Sequence, residues 1–152
     1  MEIREYAEEN CMELIRLFFD TVHTVNAADY TPAQLDAWAP GDADGAKWNA
    51  SFLGHRTLVA WQDGKIVGFA DMDDSGYLDR LYVHKDHQRQ GIATTLCDAL
   101  EKHLPDAEYT THASVTARPF FEKRGYLVLK EQQVRRGDVW LTNYVMKKVR
   151  DP

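Results

Sequence analysis

The spacing of apolar positions changes along the chain, and each change predicts an element. After a short extended stretch at Ile3-Arg4-Glu5-Tyr6 (β1), Met12, Ile15, Phe18, Phe19 and Val22 recur at helical spacing and predict α1. Thr31-Pro32 supplies a cap and a first-turn proline for α2, which runs through Leu35 and Trp38 and ends at Pro40-Gly41. A further short helix, α3, is predicted from Lys47 to Leu53.

From Thr57 the pattern becomes that of strands. Thr57-Leu58-Val59-Ala60-Trp61 (β2) and Ile66-Val67-Gly68-Phe69-Ala70 (β3) flank Asp63-Gly64, a tight-turn pair, and predict a hairpin. After the turn Asp73-Asp74-Ser75-Gly76 comes β4, Tyr77 to Val83, in which strict alternation would place Leu78, Arg80 and Tyr82 on one face and Asp79, Leu81 and Val83 on the other. Ile92, Leu96, Leu100 and Leu104 then mark α4, which begins near Gly91 and stops before Pro105. Strand β5 is predicted over Glu108 to Ala113. A helix α5 follows, capped by Thr116, tolerating Pro119 in its first turn and ended by Gly125. Two last strands, Leu127 to Val134 (β6) and Trp140 to Lys147 (β7), are joined through Arg136-Gly137-Asp138.

Composition narrows the class without naming a function. The 152 residues, 44% of them hydrophobic and 28% charged, suit a single domain spanning 1–152. Nothing at the start reads as a leader and no apolar run is long enough to span a membrane, so a cytoplasmic protein with no membrane partner is expected. Cys11 and Cys97 have no neighbouring cysteine and are expected to be free buried thiols. A formal charge of −6 argues against nucleic acid as a partner, since phosphate contacts need clustered Lys and Arg. His84 and His87 lie three apart but lack a third ligand and read as a solvated loop, so no metal is expected.

The segment after β4 carries the chemistry. A strand, a polar loop with one glycine and then an amphipathic helix expose unpaired N–H groups at the helix start, which attract anions. Gly91 would let backbone approach a phosphate, and Arg89 adds positive charge. There is no Gly-Lys-Ser/Thr ending of a P-loop and no three-glycine dinucleotide fingerprint, so ATP and NAD are poor candidates.

Gln88-Arg89-Gln90-Gly91-Ile92-Ala93, preceded by Leu78-Asp79-Arg80-Leu81-Tyr82-Val83, resembles the Gln/Arg-x-x-Gly-x-Gly/Ala motif of the GNAT superfamily of N-acetyltransferases. Ser114-Val115-Thr116-Ala117-Arg118-Pro119-Phe120-Phe121-Glu122-Lys123-Arg124-Gly125-Tyr126 resembles that family's second motif. The resemblance covers roughly residues 57 to 148, and the stretches around Ala113 to Glu122 and Leu141 to Met146 look most like its small YafP-type branch.

The resemblance implies an α+β, three-layer fold with a mixed, mostly antiparallel sheet of about seven strands, flanked by helices and splayed between β4 and β5. It implies acetyl-coenzyme A as cosubstrate, its pantetheine arm lying along the backbone of Leu81, Tyr82 and Val83, with the Val83 N–H polarising the thioester carbonyl. Its pyrophosphate would meet the loop Gln88, Arg89, Gln90, Gly91, Ile92, Ala93 and Thr94, and Ser114 and Phe121 would border the arm and thiol. It implies transfer to an amine of a small molecule or peptide within a ternary complex, by a monomer or a homodimer.

An amine of pKa near 10.4 is neutral only about once in 2,500 molecules at pH 7, so a base is needed. Asp79 is the candidate, with a structural or substrate-anchoring carboxylate as the alternative. The tyrosine usual as general acid in the second motif is Phe121 here, which leaves Tyr126, Tyr144 or a water as unranked substitutes and keeps open a non-catalytic acyl-coenzyme A sensor or adaptor. Tyr30, Trp38 and His112 are candidate acceptor-pocket residues, the first two also reading as core aromatics and His112 also as a second base.

Overall fold

The computed structural model describes residues 1–149. Strands β1 (Glu2–Glu5), β2 (Arg56–Gln62), β3 (Lys65–Met72), β4 (Tyr77–Val83), β5 (Thr110–Ser114), β6 (Tyr126–Arg136) and β7 (Val139–Lys148) form one sheet in the order β1-β2-β3-β4-β5-β7-β6. All neighbours are antiparallel except β4 and β5, which run parallel. Helices α1 (Cys11–Thr24), α2 (Pro32–Trp38) and α3 (Gly45–Gly54) cover one face, and α4 (Ile92–His103) and α5 (Arg118–Lys123) cover the other. The result is the mixed, three-layer α+β arrangement expected from the sequence.

Local chemistry accounts for most boundaries. Asp63 and Gly64 take φ of 53° and 76°, the pair of positive values that a two-residue hairpin turn between β2 and β3 requires. Thr31 Oγ1 accepts from Gln34 N at 3.2 Å while Gln34 Oε1 accepts from Thr31 N at 2.9 Å, a capping box that starts α2 just before Pro32. Along α4 the apolar row Ile92, Leu96 and Leu100 is at most 2% exposed, each such side chain contributing about 1.5–3 kcal/mol of burial. Cys11 and Cys97 are buried and free. Among the described residues no helix is long and apolar enough to cross a membrane.

Several boundaries differ from expectation for identifiable reasons. Helix α3 begins at Gly45 because the Asp44 carboxylate accepts from the N–H groups of Ala46 and Lys47. Thr116 does not cap α5: its hydroxyl donates to Asp29 at 2.8 Å, and Ser114 Oγ instead accepts from Ala117 N. Arg136 stays in β6, paired with Val139, so the β6-β7 turn shrinks to Gly137-Asp138.

The main correction is in β4. Asp71 pairs with Arg80 but Met72 pairs with Leu78, so Asp79 is an extra, bulged residue. Alternation therefore breaks at that point. Leu78, Leu81 and Val83 pack toward α4, whereas Asp79, Arg80 and Tyr82 all face the α1–α3 side. Asp79 does not share a face with Leu81, contrary to the uninterrupted pattern.

Candidate active site

The cleft begins where the β4-β5 ladder stops. Gly76 has φ of +93°, and a Cβ there would lie 2.6 Å from Glu108 O, so only glycine lets the two strands start side by side. Only Tyr77↔Thr110 and Leu78↔Thr111 pair. Thr111 Oγ1 then donates to Leu78 O at 2.9 Å, meeting the last carbonyl with a side chain instead of another strand residue. Beyond it the strands diverge around a cleft of about 350 Å³.

One wall of the cleft is the free edge of a strand. His84 N donates to Val67 O, so by antiparallel alternation Tyr82 and His84 bond to β3, while the N–H and C=O of Leu81 and Val83 face the open edge. Tyr82 lines the cleft, but its amide belongs to the ladder with Phe69, which corrects its expected backbone role. The Val83 carbonyl accepts from Gln88 Nε2 at 2.6 Å and from Thr21 Oγ1 at 3.4 Å, leaving the Val83 N–H directed into the opening. The Gln88 side chain thus ties the loop to the end of β4 and is not free for a ligand.

At the top of the cleft, Arg89 and Gly91 have φ of 61° and 81°, a curled loop that feeds directly into α4. No side chain caps that helix, and its first internal bond is Thr95 N to Gly91 O, so the amides of Ile92, Ala93 and Thr94 lack helical partners. An anion placed there gains from both N–H donation and the helix dipole, about 0.3–2 kcal/mol for the dipole part. A Cβ on Gly91 would meet no atom within 4 Å, so its positive φ, and not crowding by the rest of the chain, selects glycine. Gln90 is exposed and does not line the cleft.

A second cavity of about 360 Å³ adjoins the cleft on the α1–α3 side, and Trp38, Asp79, Arg80, Tyr82, His112 and Ser114 line both. The Asp79 side chain, 33% exposed, lies at this junction with Oδ2 3.5 Å from Arg80 Nη1. Behind it a network fixes Arg80: Nη1 donates to Asp71 Oδ2, Nη2 donates to Ser51 Oγ at 3.0 Å, and the guanidinium stacks 4.7 Å above Trp48 and 4.9 Å above Phe52. Asp71 is fully buried and also meets His55 Nδ1 at 2.8 Å. Burial pushes the Asp71 carboxyl above the ordinary carboxylate value, opposed by Arg80 and His55. His55, Asp71 and Asp79 cluster within 4.8 Å, but the Arg80 guanidinium already serves as their cation.

The other expected residues fall in different places. Phe121 is 3% exposed and lines the cleft. Tyr126 is 2% exposed with its hydroxyl on Glu101 at 3.4 Å and its pKa pushed well above the phenol value by burial; it does not line the cleft, which removes it as an acid. Tyr144 likewise lies outside both cavities, under the Arg118 guanidinium with its hydroxyl 3.4 Å from Glu131. The Tyr30 hydroxyl is spent on structure, donating to Thr142 O at 2.8 Å and accepting from Val115 N at 2.9 Å, while its ring borders the second cavity edge-on to Trp38. His112 is exposed at the junction, 5.2 Å from the Tyr77 ring.

Arg80, Asp71, His55, Trp48, Asn143 and Arg136 were not singled out by sequence reasoning. The one available signal was a carboxylate, Asp71, at the end of an otherwise apolar strand, which implies a buried partner on a neighbour.

Residues 26–148 match the family model described as an acetyltransferase (GNAT) domain. The uncharacterized N-acetyltransferase YafP of Escherichia coli is 32% identical over 97% of this chain and 95% of its own. A GCN5-related N-acetyltransferase from Rhodopseudomonas palustris superposes with a TM-score of 0.92 at 36% identity, covering 97% of this chain and 94% of that one. The PaiA N-acetyltransferase of Thermoplasma acidophilum, solved with coenzyme A, has the same fold at a TM-score of 0.78 and 20% identity, over 97% of each chain.

Proposed function

The chain belongs to the acetyltransferase (GNAT) family, and from that premise we propose that it acts as one N-acetyltransferase domain carrying acetyl groups from acetyl-coenzyme A to an amine. The observation that carries the reading is the strand edge of Leu81 and Val83, which opens beside an uncapped α4 N-terminus with Arg89 and Gly91 at positive φ. An extended amide-bearing arm suits the first, and a pyrophosphate suits the second.

Acetyl-coenzyme A would supply the activated acyl group. In the reaction, the Val83 N–H donates to the thioester oxygen as charge develops there, a contribution of about 3–4 kcal/mol for one preorganised donor. The acceptor enters from the second cavity. Its nitrogen forms the new C–N bond, the C–S bond breaks and the thiolate departs. Asp79, at the junction of the two cavities, takes the amine's proton directly or through a water, and Arg80 holds the carboxylate in place. Phe121 cannot donate a proton, so the departing sulfur leaves as thiolate, which its ordinary pKa near 8.5 permits.

Phe121 also favours a second reading, an acyl-coenzyme A sensor without catalysis. Acetyl-coenzyme A should raise the melting temperature under both readings. Release of free thiol with a panel of amines then separates them: turnover supports the enzyme, and silence across the panel supports the sensor. A melting temperature unmoved by acetyl-coenzyme A would sink both.

A further inference from the structure

The second cavity is charged at both ends and aromatic between them. Phe18, Tyr30, Trp38, Trp48, Tyr77 and Tyr82 contribute its walls. At the end shared with the cleft stands Asp79. A carboxylate accepts hydrogen bonds and suits an ammonium or amine.

Arg136 lies at the other end, on the last position of β6. It makes no ion pair among the described residues, its one bond being Nη1 to Arg135 O at 3.4 Å, whereas neighbouring Arg135 is paired with Asp138. Arg80 is already paired with buried Asp71 and lies beside Asp79, so among the described residues Arg136 is the cation of this cavity that has no ion-pair partner. A second ammonium on the acceptor would be repelled, and an anion would find Arg136 unpaired. Strands β4 and β6 are three intervals apart in the sheet, at least about 14 Å between backbones at about 4.8 Å per interval, less the reach of the arginine. Amine and anion must therefore stand at opposite ends of a spacer, and the walls favour a flat one.

We propose that the acceptor is an amine on an aromatic body bearing an anionic group at its far end, with Asp79 receiving the amine and Arg136 the anion. This rests on the acetyl-transfer reading above and narrows it.

A matched series tests it on the full chain: 4-(aminomethyl)benzoate, benzylamine and 1,4-bis(aminomethyl)benzene, which share ring and amine and differ only at the para position. Thiol release gives KM. Intrinsic fluorescence gives binding without turnover, since Trp38 and Trp48 both line the cavity. The carboxylate should have a KM roughly ten- to hundredfold below that of benzylamine, the scale of one charge-assisted hydrogen bond. The exposed Arg136→Gln should erase that gap while leaving the benzylamine constants and the acetyl-coenzyme A melting shift unchanged. Arg136→Glu should invert the order toward the diamine.

Equal use of carboxylate and benzylamine by the unmodified protein, preference for the diamine, or a gap that survives Arg136→Gln overturns the proposal, while amine-dependent thiol release leaves acetyl transfer standing. If no compound changes fluorescence or releases thiol although acetyl-coenzyme A still raises the melting temperature, both the proposal and its acceptor cavity fall, leaving the cofactor cleft.

Discussion

The cleft and the cavity beside it share six lining residues, among them Asp79, Tyr82 and Ser114, but are built from different material. The cleft presents main-chain groups: the free edge of Leu81 and Val83 and the first amides of α4. The cavity presents side chains from α1, α2, α3, β4, β5, β6 and β7, and its Arg80 is held across elements by Asp71 on β3 and Ser51 on α3. A backbone site needs a strand to stop and a loop to curl, so it tolerates change in most side chains. A side-chain site depends on identity at each position. The first suits a constant ligand and the second a variable one.

Four substitutions probe that division. Asp79→Asn is expected to lower kcat by about 10²–10⁴ while leaving the acetyl-coenzyme A melting shift intact; loss of that shift in calorimetry would show that the two regions do not act separately. Arg80→Gln removes a partner of buried Asp71 and should cost about 3 kcal/mol at pH 7 by chemical denaturation. Its pH dependence has a definite sign. The Asp71 carboxyl is already raised in the fold by burial and rises further without Arg80, so the protonated form suits the folded state. The stability tied to it is full below the unfolded value of about 3.8 and is lost as pH climbs through the folded value. The deficit against the unmodified protein should therefore widen from acid toward neutral pH; a deficit independent of pH would remove the buried carboxylate from the account.

Gly91→Val forces a branched residue to φ near +81° where no atom crowds its Cβ. The left-handed conformation costs about 1–2 kcal/mol, so acetyl-coenzyme A affinity should fall by about five- to thirtyfold as the loop relaxes, measured by titration calorimetry. Amine binding by fluorescence should not change. Tyr126→Phe, which removes a hydroxyl near Glu101 away from both regions, should lower stability by about 1 kcal/mol or less and leave kcat within a factor of two; a larger fall in kcat would return Tyr126 to the list of acids.

The same division explains what could be read from sequence. The apolar row of α4, the Asp63-Gly64 turn and the loop ending at Gly91 are local patterns, each set by residues within a few positions of one another. The bulge at Asp79 is not local: it depends on how Asp71 and Met72 pair with β4, and nothing between Tyr77 and Val83 announces an extra residue. The sequence Arg136-Gly137-Asp138 reads as a turn, yet the two-residue turn keeps Arg136 in register with Val139 at the cavity's end. Tyr126 and Tyr144 have the residue type that a general acid needs, but not the position. Burial against Glu101 and the position under Arg118 are tertiary facts that spacing does not carry.

The bulge gives β4 two kinds of tolerance. Exchanging the residue at 79 alters chemistry at the junction but keeps every neighbour on its own face. Removing it would restore plain alternation through the strand. Leu78 would stay on the α4 face and Arg80 on the α1–α3 face, because Met72 and Asp71 already pair with these two as if they were consecutive. For this strand, scaffold and chemistry part at one position: a gap at 79 would keep both faces of β4 and take away only the carboxylate that the bulge sets beside Arg80.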